Sequence, residues 1–108
     1  MINFEAMIPL VSEHFEKLKM LCKAHQVNSF YLFGSAAKKT AKQTSDLDFL
    51  VRFSPNIPLL DYADNYFDLL DKLKELFNRD IDLVSEKELR NPILISEINQ
   101  TKIPIYES

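Results

Sequence analysis

The sequence predicts a small α/β (α+β) domain, a mixed β-sheet with helices packed on one side. Two observations carry this expectation: runs with a three- and four-residue apolar period alternate along the chain with short runs of period two, and the connecting turns are brief. A third bounds it, because 108 residues suffice for one hydrophobic core and not for two, so the chain reads as one domain over residues 1–108.

The first helix is expected from Ile8, Val11, Phe15, Leu18, Cys22 and His25, apolar positions separated by Glu13, Glu16, Lys17, Lys19 and Lys23. A buried strand follows over Phe30 to Phe33, closed by Gly34, the only glycine of the chain. Small and basic residues from Ser35 to Lys42 suit a short helix starting directly after that turn. The run from Asp46 to Phe53 is read as a strand with Asp46, Asp48 and Leu50 on one face and Leu47, Phe49, Val51 and Phe53 on the other.

Ser54, Pro55, Asn56 and Pro58 break the chain, and Leu59, Ala63, Tyr66, Leu70, Leu73 and Phe77 mark a long amphipathic helix. Asp80 to Val84 reads as a short strand on which Asp80, Asp82 and Val84 share a face. A helix over Pro92 to Gln100 and an extended piece over Ile103 to Tyr106 complete the expected order.

Composition narrows the function. A net charge of −3 and a pI near 5.3 give no general electrostatic grip on nucleic acid, so any phosphate chemistry must be local. The single Cys22 makes no intrachain disulfide and belongs to no cysteine cluster, which suits a reducing cytoplasm. The first residues lack a basic leader and carry Glu5 in a short apolar stretch, so neither a signal peptide nor a membrane span is expected.

Candidate site residues come from three places. Gly34 and Ser35 stand where a strand turns sharply into a helix, and such a junction aims backbone N–H groups, a helix dipole and a hydroxyl at an anion such as a polyphosphate. Asp46 and Asp48, two apart on a strand, project from one face with bases about 6 to 7 Å apart, a spacing suited to a hard divalent cation shared with phosphate oxygens. Asp82 stands between Ile81 and Leu83, where an acid is costly unless paired or metal-bound, and is expected to reach the same cluster from an adjacent strand. Three carboxylates suffice for a two-metal arrangement. Asp80 shares that face but is expected to be solvated beside Arg79. His14 and His25 are too isolated to suggest a catalytic base, and His25 is read as the end of the first helix's stripe.

The stretch GSAAKKTAKQTSDLDFLV followed by DIDLV resembles the signature of the minimal nucleotidyltransferases in the DNA polymerase beta superfamily: Gly-Ser, then Asp-x-Asp, then a later single Asp. Gly34 precedes Asp46 by twelve positions as in that pattern, with Ala37 and Ser45 also in place, and the ending NPILISEINQTKIPIYE is similar to the small stand-alone members. One position departs from it: Lys39 stands where a second glycine is usual, beside Lys38 and Lys42.

The resemblance implies a polymerase beta-like fold, with ATP or another nucleoside triphosphate held by Gly34 and Ser35, and Mg²⁺ held by Asp46, Asp48 and Asp82, which act as the catalytic residues; Lys39, where the chain departs from the pattern, is a candidate nucleotide-binding residue through its charge. It further implies transfer of a nucleoside monophosphate to a hydroxyl, with release of pyrophosphate, and pairing with a HEPN-domain toxin whose tyrosine is adenylylated. A second copy of this chain is a further candidate partner. The competing expectation is a binding module that neutralises its partner by occlusion.

Overall fold

The computed structural model describes residues 9–37 and 46–108. Within them the order is α1 (Pro9–Ser12), α2 (Phe15–Ala24), β1 (Val27–Phe33), α3 (Gly34–Ala37), β2 (Leu47–Phe53), α4 (Leu59–Phe77), β3 (Ile81–Ser85), α5 (Pro92–Thr101) and β4 (Ile103–Glu107), with a single 3₁₀ turn over Glu86–Glu88. The four strands form one mixed sheet in the order β3-β2-β1-β4. β1 is antiparallel to both β2 and β4, and β2 is parallel to β3, the two being joined through α4.

The alternation in β2 divides the sheet as expected. Leu47, Phe49, Val51 and Phe53 join Phe30, Leu32, Ile81, Leu83 and Ile105 in the main core. Helices α1, α2 and α4 cover that face with Val11, Leu18, Cys22, Leu69, Leu73 and Phe77. Rings reinforce the centre: Phe30 stacks on Phe49 at 4.8 Å and Phe49 on Phe77 at 5.8 Å between centroids.

The fold class holds, with one helix placed otherwise than expected. α5 does not join the other helices: Ile98 and Leu94 cover the opposite face of the sheet, over Phe33, Leu50, Tyr31 and Val84. Both faces of the two central strands are therefore shielded, which is why β1 and β2 carry apolar residues on both sides. Asn91 starts α5 by accepting from the Ile93 N–H at 2.9 Å, with Pro92 in the first helical position.

The expected first helix is two. A turn at Glu13–His14 separates α1 from α2, with the His14 N–H bonded to the Val11 carbonyl at 3.1 Å and the Leu18 N–H to the His14 carbonyl at 2.9 Å. His25 is buried at the end of α2. Its Nδ1–H donates to the Leu21 carbonyl at 2.7 Å, and its Nε2 lies 2.6 Å from Asp68 Oδ2, tying α2 to α4. Two tyrosines tie α4 to the edge strand: Tyr66 donates to the Leu83 carbonyl at 2.5 Å, and the hydroxyls of Tyr62 and Ser85 share a hydrogen bond. Among the described residues no helix is long and apolar enough to cross a membrane.

Candidate functional site

The parallel pairing of β2 with β3 sets Leu47 opposite Ile81 and Asp48 opposite Asp82. Because side chains alternate, Asp48 and Asp82 emerge on the same face as Leu50 and Val84, the face that α5 covers. On its other side Asp48 stands opposite Phe33 of β1, and the next residue in the chain is Gly34. One register therefore places the glycine turn and both acids at the same end of the sheet.

Gly34 is buried and has φ +74°, a conformation that L side chains rarely adopt. Space requires glycine there as well, since a Cβ would collide with the Asp48 carboxylate and lie 3.2 Å from its Cγ. The Gly34 N–H donates to Thr101 Oγ1 at 3.3 Å, and the Thr101 hydroxyl donates in turn to the Glu97 carbonyl at 2.9 Å. The turn is thus fastened to the last turn of α5. Ser35 is the second residue of the short helix α3. Lys39 lies outside the described residues, as do Lys38, Lys42 and Ser45.

Asp46 is exposed and sits just before β2, one residue short of the strand it is expected to begin. Asp48 is half-buried. Its carboxyl is pushed up to about 6 by burial first, and then by the negative charges of Asp82, Asp46 and Glu97. Asp82 is exposed, so the cost expected of an acid between Ile81 and Leu83 does not arise: both point to the opposite face, as expected, and enter the main core. Among the described residues no lysine, arginine or histidine forms an ion pair with any of the three acids.

Among the described residues, the site is therefore a patch of hard carboxylate oxygens with no cation paired to it. As placed, no three such groups among the described residues close on one point at ligand distance, so the side chains must turn inward to share an ion. The donor set still suits Mg²⁺, which takes one or two carboxylates and completes its shell with water and phosphate oxygens.

Sequence reasoning missed Thr101 and Glu97. Their four-residue spacing on α5 is equally that of a solvated helix face, and only the placement of α5 over the acids distinguishes the two. A cleft of about 600 Å³ opens at the other end of the sheet, between Arg52, Tyr62, Ser85 and Lys87, and includes none of the predicted residues.

The sequence profile described as "Polymerase beta, Nucleotidyltransferase" matches residues 16–108. A Methanocaldococcus jannaschii protein named as a protein adenylyltransferase is 31% identical over 87 residues, spanning 81% of this chain and 85% of the relative. A second from the same organism, named likewise, is 33% identical over 85 residues, 79% of this chain and 83% of the relative. A solved structure described as a minimal nucleotidyltransferase is 31% identical, with TM-score 0.65, covering 95% of this chain and 96% of that one.

Two more distant structures share the fold: a toxin–antitoxin structure with AMP-PNP (21% identity, TM-score 0.68, covering 87% of this chain and 73% of that one) and a Shewanella oneidensis tri-AMPylated HEPN toxin in complex with its MNT antitoxin (19%, 0.62, 89% and 71%). The profile match spans most of the chain and includes the Gly34 turn and both acidic strands. The chain belongs to the polymerase beta nucleotidyltransferase family, as one of its minimal members.

Proposed function

We propose that this chain transfers AMP from ATP, with Mg²⁺, to a tyrosine hydroxyl of a HEPN-domain partner, and that this modification makes it the antitoxin of that partner. The observation that carries the chemistry is the in-register pair of Asp48 and Asp82 beside the Gly34 turn, with Asp48 held up to about 6 by burial and neighbouring anions. The protein acceptor is supported by the M. jannaschii relatives named as protein adenylyltransferases, and the HEPN partner by the Shewanella complex.

In this reading Asp46, Asp48 and Asp82 hold the metal, and the chemistry a bound Mg²⁺ supplies there is neutralisation of triphosphate charge and acidification of the attacking hydroxyl. Gly34 and Ser35, with Lys39, hold the triphosphate. The acceptor oxygen bonds to the α-phosphorus, the bond to the β-phosphate oxygen breaks, and pyrophosphate leaves. Asp82 takes the acceptor's proton and passes it to water. Its exposure on the edge strand suits that task, because it is open to both an incoming side chain and solvent.

The deciding experiment follows the α-phosphate. ATP labelled there is expected to label the HEPN partner in the presence of Mg²⁺. A partner that binds the chain yet gains no label with any divalent metal would overturn transfer and leave occlusion. Single-turnover transfer that survives Asp82→Asn and is abolished by Asp46→Asn would remove Asp82 from its role as base.

A further inference from the structure

The cleft at the far end of the sheet stands where the topology makes one. Strands β2 and β3 are parallel neighbours, and beyond their carboxyl ends the chain departs to opposite faces of the sheet. From Phe53 it passes through residues 54–58 into α4, on the main-core face; from Ser85 it passes through the 3₁₀ turn into α5, on the other. Parallel neighbours whose connections part in this way leave a crevice outside their carboxyl ends, and such crevices take ligands. Here it encloses about 600 Å³, within the range of small-molecule sites.

Its walls are of two kinds. One is apolar and flat: Phe53 and Ile57, with the Tyr62 ring edge-on to Phe53 at 5.2 Å between centroids. Tyr62 is held there by the hydrogen bond it shares with the buried Ser85. The other wall is cationic. The Arg52 guanidinium donates to Ser29 Oγ at 2.8 Å and stands 3.6 Å from a Glu86 carboxylate oxygen, and the Lys87 ammonium lies 5.2 Å from the centre of the Tyr62 ring.

Charge selects the kind of ligand. Two cations against one carboxylate make the cleft locally positive on a chain of net charge −3. Ser29 fixes one side of the half-exposed guanidinium, and the contact with Glu86 is longer than a charge-assisted hydrogen bond, so an incoming anion can take that place on the planar fork. We infer that this cleft is a second ligand site, separate from the proposed transfer site, and that it takes a small organic anion with a flat ring: the anionic group on Arg52 and Lys87, the ring against Phe53, Ile57 and Tyr62. Asp48 precedes Phe53 by five residues on β2, about 16 Å along the strand, so both sites can be filled at once. The inference does not depend on the transfer reaction.

Nucleoside monophosphates and aromatic carboxylates share this build, and the test separates them. The isotope-labelled chain is titrated with AMP and with benzoate, and with adenosine and inorganic phosphate, which carry only the ring or only the anion. Amide NMR signals of Ser54, Ser85 and Lys87 report the cleft, and those of Gly34 and Leu47 the transfer site. AMP or benzoate is expected to move the first set, binding at least about 10-fold more tightly than adenosine or phosphate. Arg52→Met is expected to weaken that binding about 10-fold or more, and Lys87→Met about 2- to 5-fold.

Lys87→Met guards against a structural effect of Arg52→Met, which also takes a partner from the buried Ser29. Binding of AMP alone identifies a nucleotide, of benzoate alone an aromatic acid, and of both the shared build. The inference is overturned if neither moves the cleft signals, if adenosine or phosphate binds as tightly, if the shifts fall only at Gly34 and Leu47, or if both variants bind as wild type. Shifts in the cleft that come only with the HEPN partner would assign it to protein docking and likewise overturn the inference.

Discussion

Replacing Asp48 by asparagine is expected to make the metal-free protein more stable while ending transfer. In the fold Asp48 is pushed from the ordinary 3.8 to about 6, by burial and by Asp82, Asp46 and Glu97. Between those two values the native state holds a proton that the unfolded chain releases, so the contribution of this group to stability falls as pH rises from about 4 to about 6 and stays low above that. At about 1.4 kcal/mol per pH unit the ceiling is about 3 kcal/mol. Asp48 is half exposed, and solvent screening reduces the figure to about 1 kcal/mol.

The asparagine side chain keeps the shape and carries no charge, so Asp48→Asn should melt about 4 °C above wild type at pH 8 and converge with it near pH 4.5, where Asp48 is itself mostly protonated. Mg²⁺ at ten times its dissociation constant should raise wild-type stability at pH 8 by about 1.4 kcal/mol and leave the variant nearly unmoved. Thermal melts from pH 4.5 to 8, with and without Mg²⁺, read all three. A variant that melts at or below wild type at pH 8, with an unchanged pH slope, would show that the neighbouring anions do not burden Asp48 and would refute the reasoning.

Three further outcomes are expected. Gly34→Ala places a Cβ against the Asp48 carboxylate at φ +74°, costing about 1 to 3 kcal/mol; denaturant titration and ATP affinity should both decline, and an unaltered pair would show that the turn tolerates a side chain. Thr101→Val removes the acceptor of the Gly34 N–H, with a cost of about 1 to 2 kcal/mol and a higher KM for ATP in transfer assays; loss of stability with KM unchanged would reduce Thr101 to a tie between α5 and the turn. Asp68 is held below the ordinary carboxylate range first by its hydrogen bond with His25, so its contribution to stability is present above that range and lost as pH falls through the lowered value. Asp68→Asn should therefore lose less stability than wild type on acidification in urea titrations, and parallel acid losses would show that the pair is not what is being titrated.

The elements legible in the sequence are those whose local signals agree with their tertiary surroundings. The apolar period predicts α4 from Leu59 to Phe77 and the helix spans those residues, because Pro58 stops the preceding chain and Asn78 takes a left-handed turn at φ 51° that ends it. The division of β2 into two faces is equally legible, as strand alternation leaves each residue only one side. The break between α1 and α2 is not. Val11, Phe15 and Leu18 keep helical spacing straight across Glu13–His14, and the apolar pattern is the same whether the helix continues or turns and resumes. The side taken by α5 is also hidden, since Leu94 and Ile98 define an apolar face and say nothing about which side of the sheet receives it.

The candidate site shows how sequence spacing and spatial register divide the work. The pattern Gly34, Asp46, Asp48 and Asp82 is one-dimensional, and the fold converts it through two pairings, Phe33 with Asp48 and Asp48 with Asp82. The cost argued for Asp82 from its apolar neighbours does not arise, because residues adjacent along a strand face opposite ways. Ile81 and Leu83 report on the other side of the sheet, and the residues that inform on Asp82 are Asp48 across the ladder and Val84 two along. That correction changes what the site can do. An exposed Asp82 on an edge strand is open to a side chain arriving from another protein and to water that takes up its proton.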